Sequence, residues 1–206
     1  MFLCYIIFFL FLGFLETFFP EFSLDQYEQR ELMQLLDENP LKFLILAVIL
    51  APLIEEGIFR TLLKPSANEL LFFLSLWLLI LVQLFIPEDV YWVLRYTFLV
   101  LLGMLAFLFL KEFIPQVWQQ KAAYFLSLHY RKIWVLTSII FGWVHVFNYV
   151  EGFQIDFQLF LLVFPRIIAG FFFGKIKIEN EGLLWPILMH GMNNGTVVFF
   201  LLPRLF

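Results

Sequence analysis

The chain has 206 residues, of which 63% are hydrophobic and only 15% are charged, and its mean hydropathy is +0.91. This composition excludes an ordinary water-soluble domain and predicts an integral membrane protein whose partner is the lipid bilayer. The net charge of −4 predicts no nucleic-acid partner, and the single cysteine, Cys4, excludes an intramolecular disulfide and a thiolate metal cluster.

Apolar runs of membrane-spanning length recur along the whole chain, separated by charged or proline-containing breaks. Seven runs are each close to the roughly 20 residues that a transmembrane helix needs. We place them at 2–19, 42–63, 70–86, 90–110, 133–150, 157–174 and 183–202. The first run lacks a basic start and a small-residue cleavage site, which favours a retained span over a signal peptide. The sequence predicts an all-α, polytopic membrane helix bundle of about seven transmembrane helices, forming one membrane domain over residues 1–206.

Two stretches between these spans, 23–39 and 112–132, are amphipathic. Their apolar residues are Leu24, Tyr27, Leu32, Leu35 and Leu36 in the first stretch, and Trp118, Tyr124, Phe125 and Leu128 in the second. In the first stretch these residues share one helical face, and Pro40 ends the pattern. Both stretches are predicted to be interfacial helices on the membrane surface.

Basic residues are distributed unequally between the two ends of the predicted spans. Those at one end are Lys64, Lys111, Lys121, Arg131, Lys132, Lys175 and Lys177, and those at the opposite end are Arg30, Lys42 and Arg204. By the positive-inside rule the first end is cytoplasmic, so we expect a cytoplasmic N-terminus and a C-terminus outside. The short chain, compact loops and absence of a retention signal favour a bacterial inner membrane.

Three ionisable residues interrupt the hydrophobic run 43–63: Glu55, Glu56 and Arg60. Ionisable groups inside a membrane are costly and mark functional sites. At 100° per residue, Glu56 and Arg60 lie about 40° apart on the helix and can form an ion pair. Glu55 is turned about 140° from Arg60 and is predicted to face other spans.

Further polar residues lie at matching depth in later spans. Glu55 and Arg166 are each roughly 13 Å from a cytoplasmic boundary residue, and His190 is roughly 12 Å from one. Asn194 and His145 are roughly 18–19 Å deep by the same helical rise. Residues from four spans therefore converge slightly to the cytoplasmic side of the membrane midplane.

A glutamate beside two histidines and an asparagine suits hydrolysis by an activated water. Glu55 would accept the proton of the water while His145 orients the attack, and His190 with Asn194 would stabilise the oxyanion. No cofactor is expected in this mechanism. The alternative is zinc held by Glu55, His145 and His190, with water as the fourth ligand. The metal-free version is favoured, because the H-E-x-x-H motif is absent and Asn194 is a poor zinc ligand.

Three motifs occur in order: E-E-x-x-x-R at Glu55–Arg60, F-x-x-x-H at Phe141–His145, and H-x-x-x-N at His190–Asn194. Together they resemble the CPBP family of intramembrane endopeptidases, which contains CAAX prenyl proteases and bacteriocin-processing or self-immunity proteins. The resemblance covers about 42–202, the predicted catalytic core. It implies a protease in which the first glutamate activates water and whose substrate is a membrane-associated or lipid-modified protein or peptide.

The chain departs from this family pattern in one stretch and carries one polar residue that the pattern does not explain. The stretch between the first and second motifs, 61–140, is longer than is usual in the family. This extra length predicts an inserted helical hairpin at 68–111. Arg166 is predicted to pair with Glu55 or Glu56, or to capture a substrate carboxylate. Glu56, Arg60 and Phe141 are predicted to support the catalytic groups.

Two other classes of function remain as alternatives. The first is a non-proteolytic self-immunity or scaffold protein that keeps the fold, although such a protein would be expected to have lost a motif residue. The second is a transporter with a Glu and His proton relay, although no internal repeat is found.

Overall fold

A computed structural model describes residues 1–19, 21, 24, 27, 29–152 and 154–201, and these residues form helices and connecting turns without a β-strand. The α-helices are α1 (Phe2–Phe18), α2 (Arg30–Glu38), α3 (Pro40–Ile45), α4 (Ala51–Phe59), α5 (Ala67–Gln83), α6 (Trp92–Phe113), α7 (Gln116–Leu128), α8 (Tyr130–Val144), α9 (Phe157–Asn180) and α10 (Leu184–Leu201). A π-helical segment, Leu46–Leu50, joins α3 to α4, and a 3-10 turn, His145–Asn148, continues α8. The all-α prediction is confirmed.

Within the described ranges, each predicted span coincides with helical structure. Two helices in these ranges are both long and apolar enough to cross a membrane by themselves. These are α6, with a hydropathy of 2.2, and α9, with a hydropathy of 1.9. Helices α1 and α5 are apolar but have 17 residues each. The count of seven transmembrane helices therefore stays a prediction. Arg204 and residue 202, where the last span was predicted to end, lie outside the described residues.

Helices α8 and α9 pack closely against each other, and α8 carries the Phe141–His145 motif to the site. A Cβ at Gly142 would lie 2.8 Å from the Ile167 backbone nitrogen, so only glycine permits this approach. The Asp156 side chain accepts a hydrogen bond from the Leu159 N–H and caps the start of α9. Trp134 of α8 also donates to the Phe171 carbonyl at 3.0 Å.

Of the two predicted amphipathic stretches, the first becomes α2 and packs on the bundle. Leu36 is buried against Phe43 and Val198, so the apolar face of α2 covers α3 and α10 instead of lying only against lipid. Residues 23, 25, 26 and 28 of that stretch lie outside the described residues. In α7, by contrast, Trp118 and Phe125 are exposed, as an interfacial helix requires.

Helices α5 and α6 form the hairpin predicted at 68–111. A capping box between Ser66 and Glu69 starts α5, and Leu76 of α5 lies against Gly57 of α4. In the most apolar stretch of α6 only 6% of residues are buried, against 44% in α9, so α6 lies at the periphery. Whether the hairpin is an insertion relative to the family stays a prediction.

Candidate active site

The Glu55 carboxylate of α4 lies between two imidazoles from other helices. Its Oε2 atom is 3.6 Å from Nε2 of His145 and 3.9 Å from Nε2 of His190. This oxygen is buried and has no hydrogen-bond partner among the described residues. Three polar groups thus point at one another over distances that a single water molecule can bridge.

The His145 ring is held at the end of α8 by its own helix. Its Nδ1 lies 2.7 Å from the Phe141 carbonyl oxygen. Because a carbonyl only accepts, Nδ1 carries the proton of that hydrogen bond. In the neutral ring, Nε2 is therefore the acceptor, and it faces Glu55.

The His190 ring of α10 is fixed from two directions. Its Nδ1 lies 2.8 Å from Oε1 of Glu56, and the Phe173 ring stacks on it with centroids 4.7 Å apart. The residue is only 3% exposed. Carboxylate and aromatic contacts together set the direction in which Nε2 points.

The ion pair expected between Glu56 and Arg60 is present, with Nε and Oε2 2.9 Å apart and both side chains fully buried. The contact from Glu56 to His190 was not anticipated from the sequence. The Arg60 guanidinium also lies over the Phe141 ring, 4.7 Å from its centroid. Glu56 therefore links a buried cation to one of the two imidazoles.

Asn194 is held by a backbone carbonyl that the π-helical segment before α4 leaves without a helical hydrogen bond. The Ala51 N–H bonds to the Leu46 carbonyl in the π-helical pattern, and the next residue, Pro52, has no N–H. The Ala47 carbonyl is consequently left without a helical donor. Nδ2 of Asn194 donates to this carbonyl at 2.8 Å, which fixes the asparagine amide one helical turn beyond His190 on α10.

The same segment explains why position 191 is glycine. A Cβ at Gly191 would lie 2.8 Å from the Val48 carbonyl oxygen, whereas a Cβ at Gly195 would meet only the Val48 side chain at 3.9 Å. We expect Gly191→Ala to lower the free energy of unfolding by about 1–3 kcal/mol, because a backbone oxygen cannot move aside as a side chain can. Gly195→Ala is the control, and denaturant titration in detergent compares the two variants. Equal stability of both would show that α10 does not approach the π-helical segment this closely.

Arg166 does not pair with Glu55 or Glu56 in this structure, which corrects that part of the prediction. Its guanidinium donates to the Tyr149 hydroxyl at 2.9 Å and to the Leu162 carbonyl at 3.2 Å. Glu56 is already bonded to Arg60 and His190, so its oxygens are engaged. The Arg166 side chain extends back along α9, towards Tyr149. A contact with a substrate carboxylate stays a prediction.

A cavity of about 1320 Å³ reaches this set of polar groups. Its walls come from α1 to α4 with the π-helical segment, from α8 with its 3-10 turn, and from α9 and α10, and most of its lining is apolar. The site residues that line it are Glu55, Phe141, His145, Arg166, His190 and Asn194. A cavity of this size and character accommodates an extended peptide segment with water at its polar end.

The zinc alternative requires three ligands gathered around one point. Across the described ranges of the chain, no group of three or more His, Cys, Asp or Glu side chains is arranged to hold a metal ion. Metal dependence stays open to a direct test.

A known protein family matches this chain. Neither the curated proteins nor the solved structures contain a match to the chain. The model of the type II CAAX prenyl endopeptidase Rce1-like family matches residues 37–196, which is well over half of the chain and contains all three motifs. The resemblance inferred from those motifs is confirmed, and the chain belongs to this family of membrane-embedded proteases.

Proposed function

We propose that the protein is a glutamate-type intramembrane endopeptidase that hydrolyses a peptide bond in a membrane-associated or lipid-modified protein or peptide. The observation that carries the proposal is the buried Oε2 of Glu55, which has no hydrogen-bond partner in the described residues and faces Nε2 of both His145 and His190. A buried carboxylate oxygen without a partner is costly, and a bound water would satisfy it.

Attack begins with a water held between Glu55 and His145. The water donates one hydrogen to the Glu55 carboxylate and the other to Nε2 of His145, so its lone pair is directed at the substrate carbonyl. The water oxygen bonds to the carbonyl carbon as Glu55 takes the proton. A tetrahedral intermediate with a negatively charged oxygen results.

Nε2 of His190 and the amide of Asn194 are the proposed donors to that oxyanion. Donation from His190 requires protons on both ring nitrogens, with Glu56 accepting from Nδ1. The second hydrogen on Nδ2 of Asn194 supplies another bond, because the first is used at the Ala47 carbonyl. Collapse of the intermediate breaks the carbon–nitrogen bond, and the proton on Glu55 passes to the leaving amine.

The test is hydrolysis of synthetic peptides by the purified protein in detergent. Peptides with and without a prenylated cysteine near the C-terminus should be compared, each with and without a metal chelator. We expect cleavage that the chelator does not abolish. Loss of cleavage on chelation, restored by added zinc, would replace the metal-free mechanism with the zinc alternative. No cleavage of any peptide would favour a self-immunity or scaffold protein.

Two histidines with the same local hydrogen bond allow a matched test of His145. Nδ1 of His129 lies 2.9 Å from the Phe125 carbonyl, four residues back, as Nδ1 of His145 does from Phe141. His129 is exposed just before α8 begins, whereas His145 follows the other end of that helix. We expect His145→Ala to lower kcat by about 10²–10⁴-fold, with His129→Ala unchanged, because only His145 orients the water. Steady-state kinetics on one peptide measure both variants, and equal kcat values would remove His145 from the mechanism.

A further inference from the structure

Arg166 lines the same cavity as Glu55 and the two histidines, and one edge of its guanidinium is unused. Both hydrogen bonds that it makes come from Nη1, which donates to the Tyr149 hydroxyl and to the Leu162 carbonyl. Because Nη1 carries two hydrogens, these two bonds occupy it completely. Nε and Nη2 have no hydrogen-bond partner in the described residues. Their N–H groups therefore remain available to a ligand.

The free nitrogens of Arg166 are accessible, in contrast with those of Arg60. Nη1 and Nη2 of Arg60 also lack partners in the part of the chain that is described, but protein atoms enclose them completely. Nε and Nη2 of Arg166 are not enclosed in this way, and the side chain is only half-buried. Since Arg166 is a lining residue, its Nε–Nη2 edge can be reached by a molecule in the cavity.

Tyr149 adds one more donor beside this edge. Its hydroxyl oxygen accepts from Arg166 and from the Gln29 amide, which uses both of its lone pairs. The hydroxyl hydrogen has no acceptor among the residues that the structure describes. Tyr149 lines the cavity as well. The two side chains together therefore offer a ligand hydrogen-bond donors and no acceptor, which selects a group that only accepts.

The charge of Arg166 is not neutralised by a neighbour. Its hydrogen-bond partners within the described ranges are a tyrosine hydroxyl and a backbone carbonyl, and neither carries a charge. The Glu56 carboxylate is already bonded to Arg60 and His190. An unpaired cation within a membrane span is costly. A carboxylate on Nε and Nη2 would remove this cost, because the planar edge of a guanidinium matches the two oxygens of a carboxylate.

This donor site lies close to the reacting groups along the chain and across the helices. A Cβ at Gly142 of α8 would lie 2.8 Å from the backbone nitrogen of Ile167, the residue after Arg166. His145 follows Gly142 by three residues, and Tyr149 comes at the end of the 3-10 turn that begins at His145. At about 2 Å per residue in such a turn, the Tyr149 backbone is about 8 Å beyond His145. An extended peptide covers this distance with about two or three residues.

We infer that Arg166 and Tyr149 form a specificity site for a substrate carboxylate about two or three residues from the peptide bond that is cleaved. The inference rests on the proposed endopeptidase activity and names a feature of its substrate. Nε and Nη2 of Arg166 would donate two parallel hydrogen bonds to the carboxylate, and the Tyr149 hydroxyl would donate a third. Two peptide groups have this chemistry, the C-terminal carboxylate and an Asp or Glu side chain. Either one would position the scissile carbonyl near Glu55.

Peptide binding tests the site without any need for hydrolysis. The probes are three dye-labelled peptides of one apolar sequence, ending in a carboxylate, in an amide, or in an amide with one Asp three residues before it. Fluorescence anisotropy in detergent, with the Glu55→Gln variant, gives their Kd values. At least one carboxylate peptide should bind about 10–100-fold more tightly than the plain amide, and that peptide identifies the source of the carboxylate. Equal Kd values, or no binding of any probe, would overturn the inference.

Substitutions of Arg166 assign the preference to this residue. Arg166→Gln should weaken binding of the preferred carboxylate peptide by about 10–100-fold and leave the plain amide unchanged. Arg166→Lys should restore only part of the preference, because an ammonium keeps the charge but lacks the planar edge. The control is Arg95→Gln, since Arg95 also lies in a predicted span but donates to the Ile86 and Pro87 carbonyls and does not line this cavity. Equal weakening of carboxylate and amide peptides by Arg166→Gln would show a structural role and overturn the inference.

Kinetics separate this inference from the endopeptidase proposal. For a carboxylate peptide that the parent protein cleaves, Arg166→Gln should raise KM by about 10–100-fold with kcat little changed, because the carboxylate is held equally before and during the reaction. Cleavage of the three peptides with equal kcat/KM would overturn the inference and leave the endopeptidase proposal intact. Absence of cleavage would refute the endopeptidase proposal, and the Kd values would still decide whether the carboxylate site exists.

Discussion

Replacing Glu55 with glutamine is expected to lower kcat/KM by about 10²–10⁴-fold, the range typical of a general base. Glutamine has nearly the same shape as glutamate but cannot accept the proton of the attacking water. Peptide hydrolysis by purified protein in detergent measures the effect. Retention of more than about a tenth of the activity would remove Glu55 from the role of general base.

The free energy of unfolding of Glu55→Gln shows whether a loss of activity comes from lost catalysis or from lost folding. Oε2 of Glu55 makes no hydrogen bond in the described residues, so glutamine breaks no existing contact at that atom. We therefore expect the free energy of unfolding of Glu55→Gln to equal that of the parent protein. Glu179→Gln, at an exposed glutamate of α9, is the control for a carboxylate-to-amide change and should keep full activity.

Arg60→Met is expected to give the largest loss of stability, about 3–5 kcal/mol, because it leaves the buried Glu56 carboxylate without its cation. Methionine keeps an apolar stem of similar length against Phe141, so the lost guanidinium is the main change. Denaturant titration in detergent, followed by the fluorescence of the six tryptophans, measures the free energy of unfolding.

An exposed ion pair with the same residue spacing is the matched control for Arg60→Met. Lys175 and Glu179 are also four residues apart, but their side chains are 55% and 59% exposed. We expect Lys175→Met to cost less than about 1 kcal/mol, as for other surface ion pairs. The double variant Glu56→Gln/Arg60→Met should recover part of the loss, because both charges of the ion pair are then absent. Similar costs for Arg60→Met and Lys175→Met would show that the buried pair is not a stabilising unit.

The relative direction and depth of side chains on a single helix could be predicted from the sequence. The rotation of 100° per residue predicted that Glu56 lies on the same face as Arg60 and that Glu55 points away from that pair. The structure has both arrangements. Depth counting correctly expected Glu55, His145 and His190 at a common level. These predictions succeed because rise and rotation per residue are fixed in an α-helix.

Contacts made by irregular backbone were not predicted. The bond from Asn194 to the Ala47 carbonyl depends on a π-helical segment, and Pro52 was the one sequence signal that could have pointed to a free carbonyl. The bond between Tyr149 and Arg166 joins a turn to the middle of α9, which the sequence pattern does not bring together. Such contacts require the path of the chain between the helices.

The sequence by itself determined the all-helical class, the family, the three motifs and the unequal distribution of charge between the two ends. Each of these depends on local composition and on fixed helical geometry. Only the tertiary structure decided that Glu56 reaches His190, that Arg166 turns to Tyr149, and that one cavity reaches Glu55, His145 and His190. Those features depend on the rotation and tilt of each helix against its neighbours, which are set by side-chain packing among segments distant in the chain.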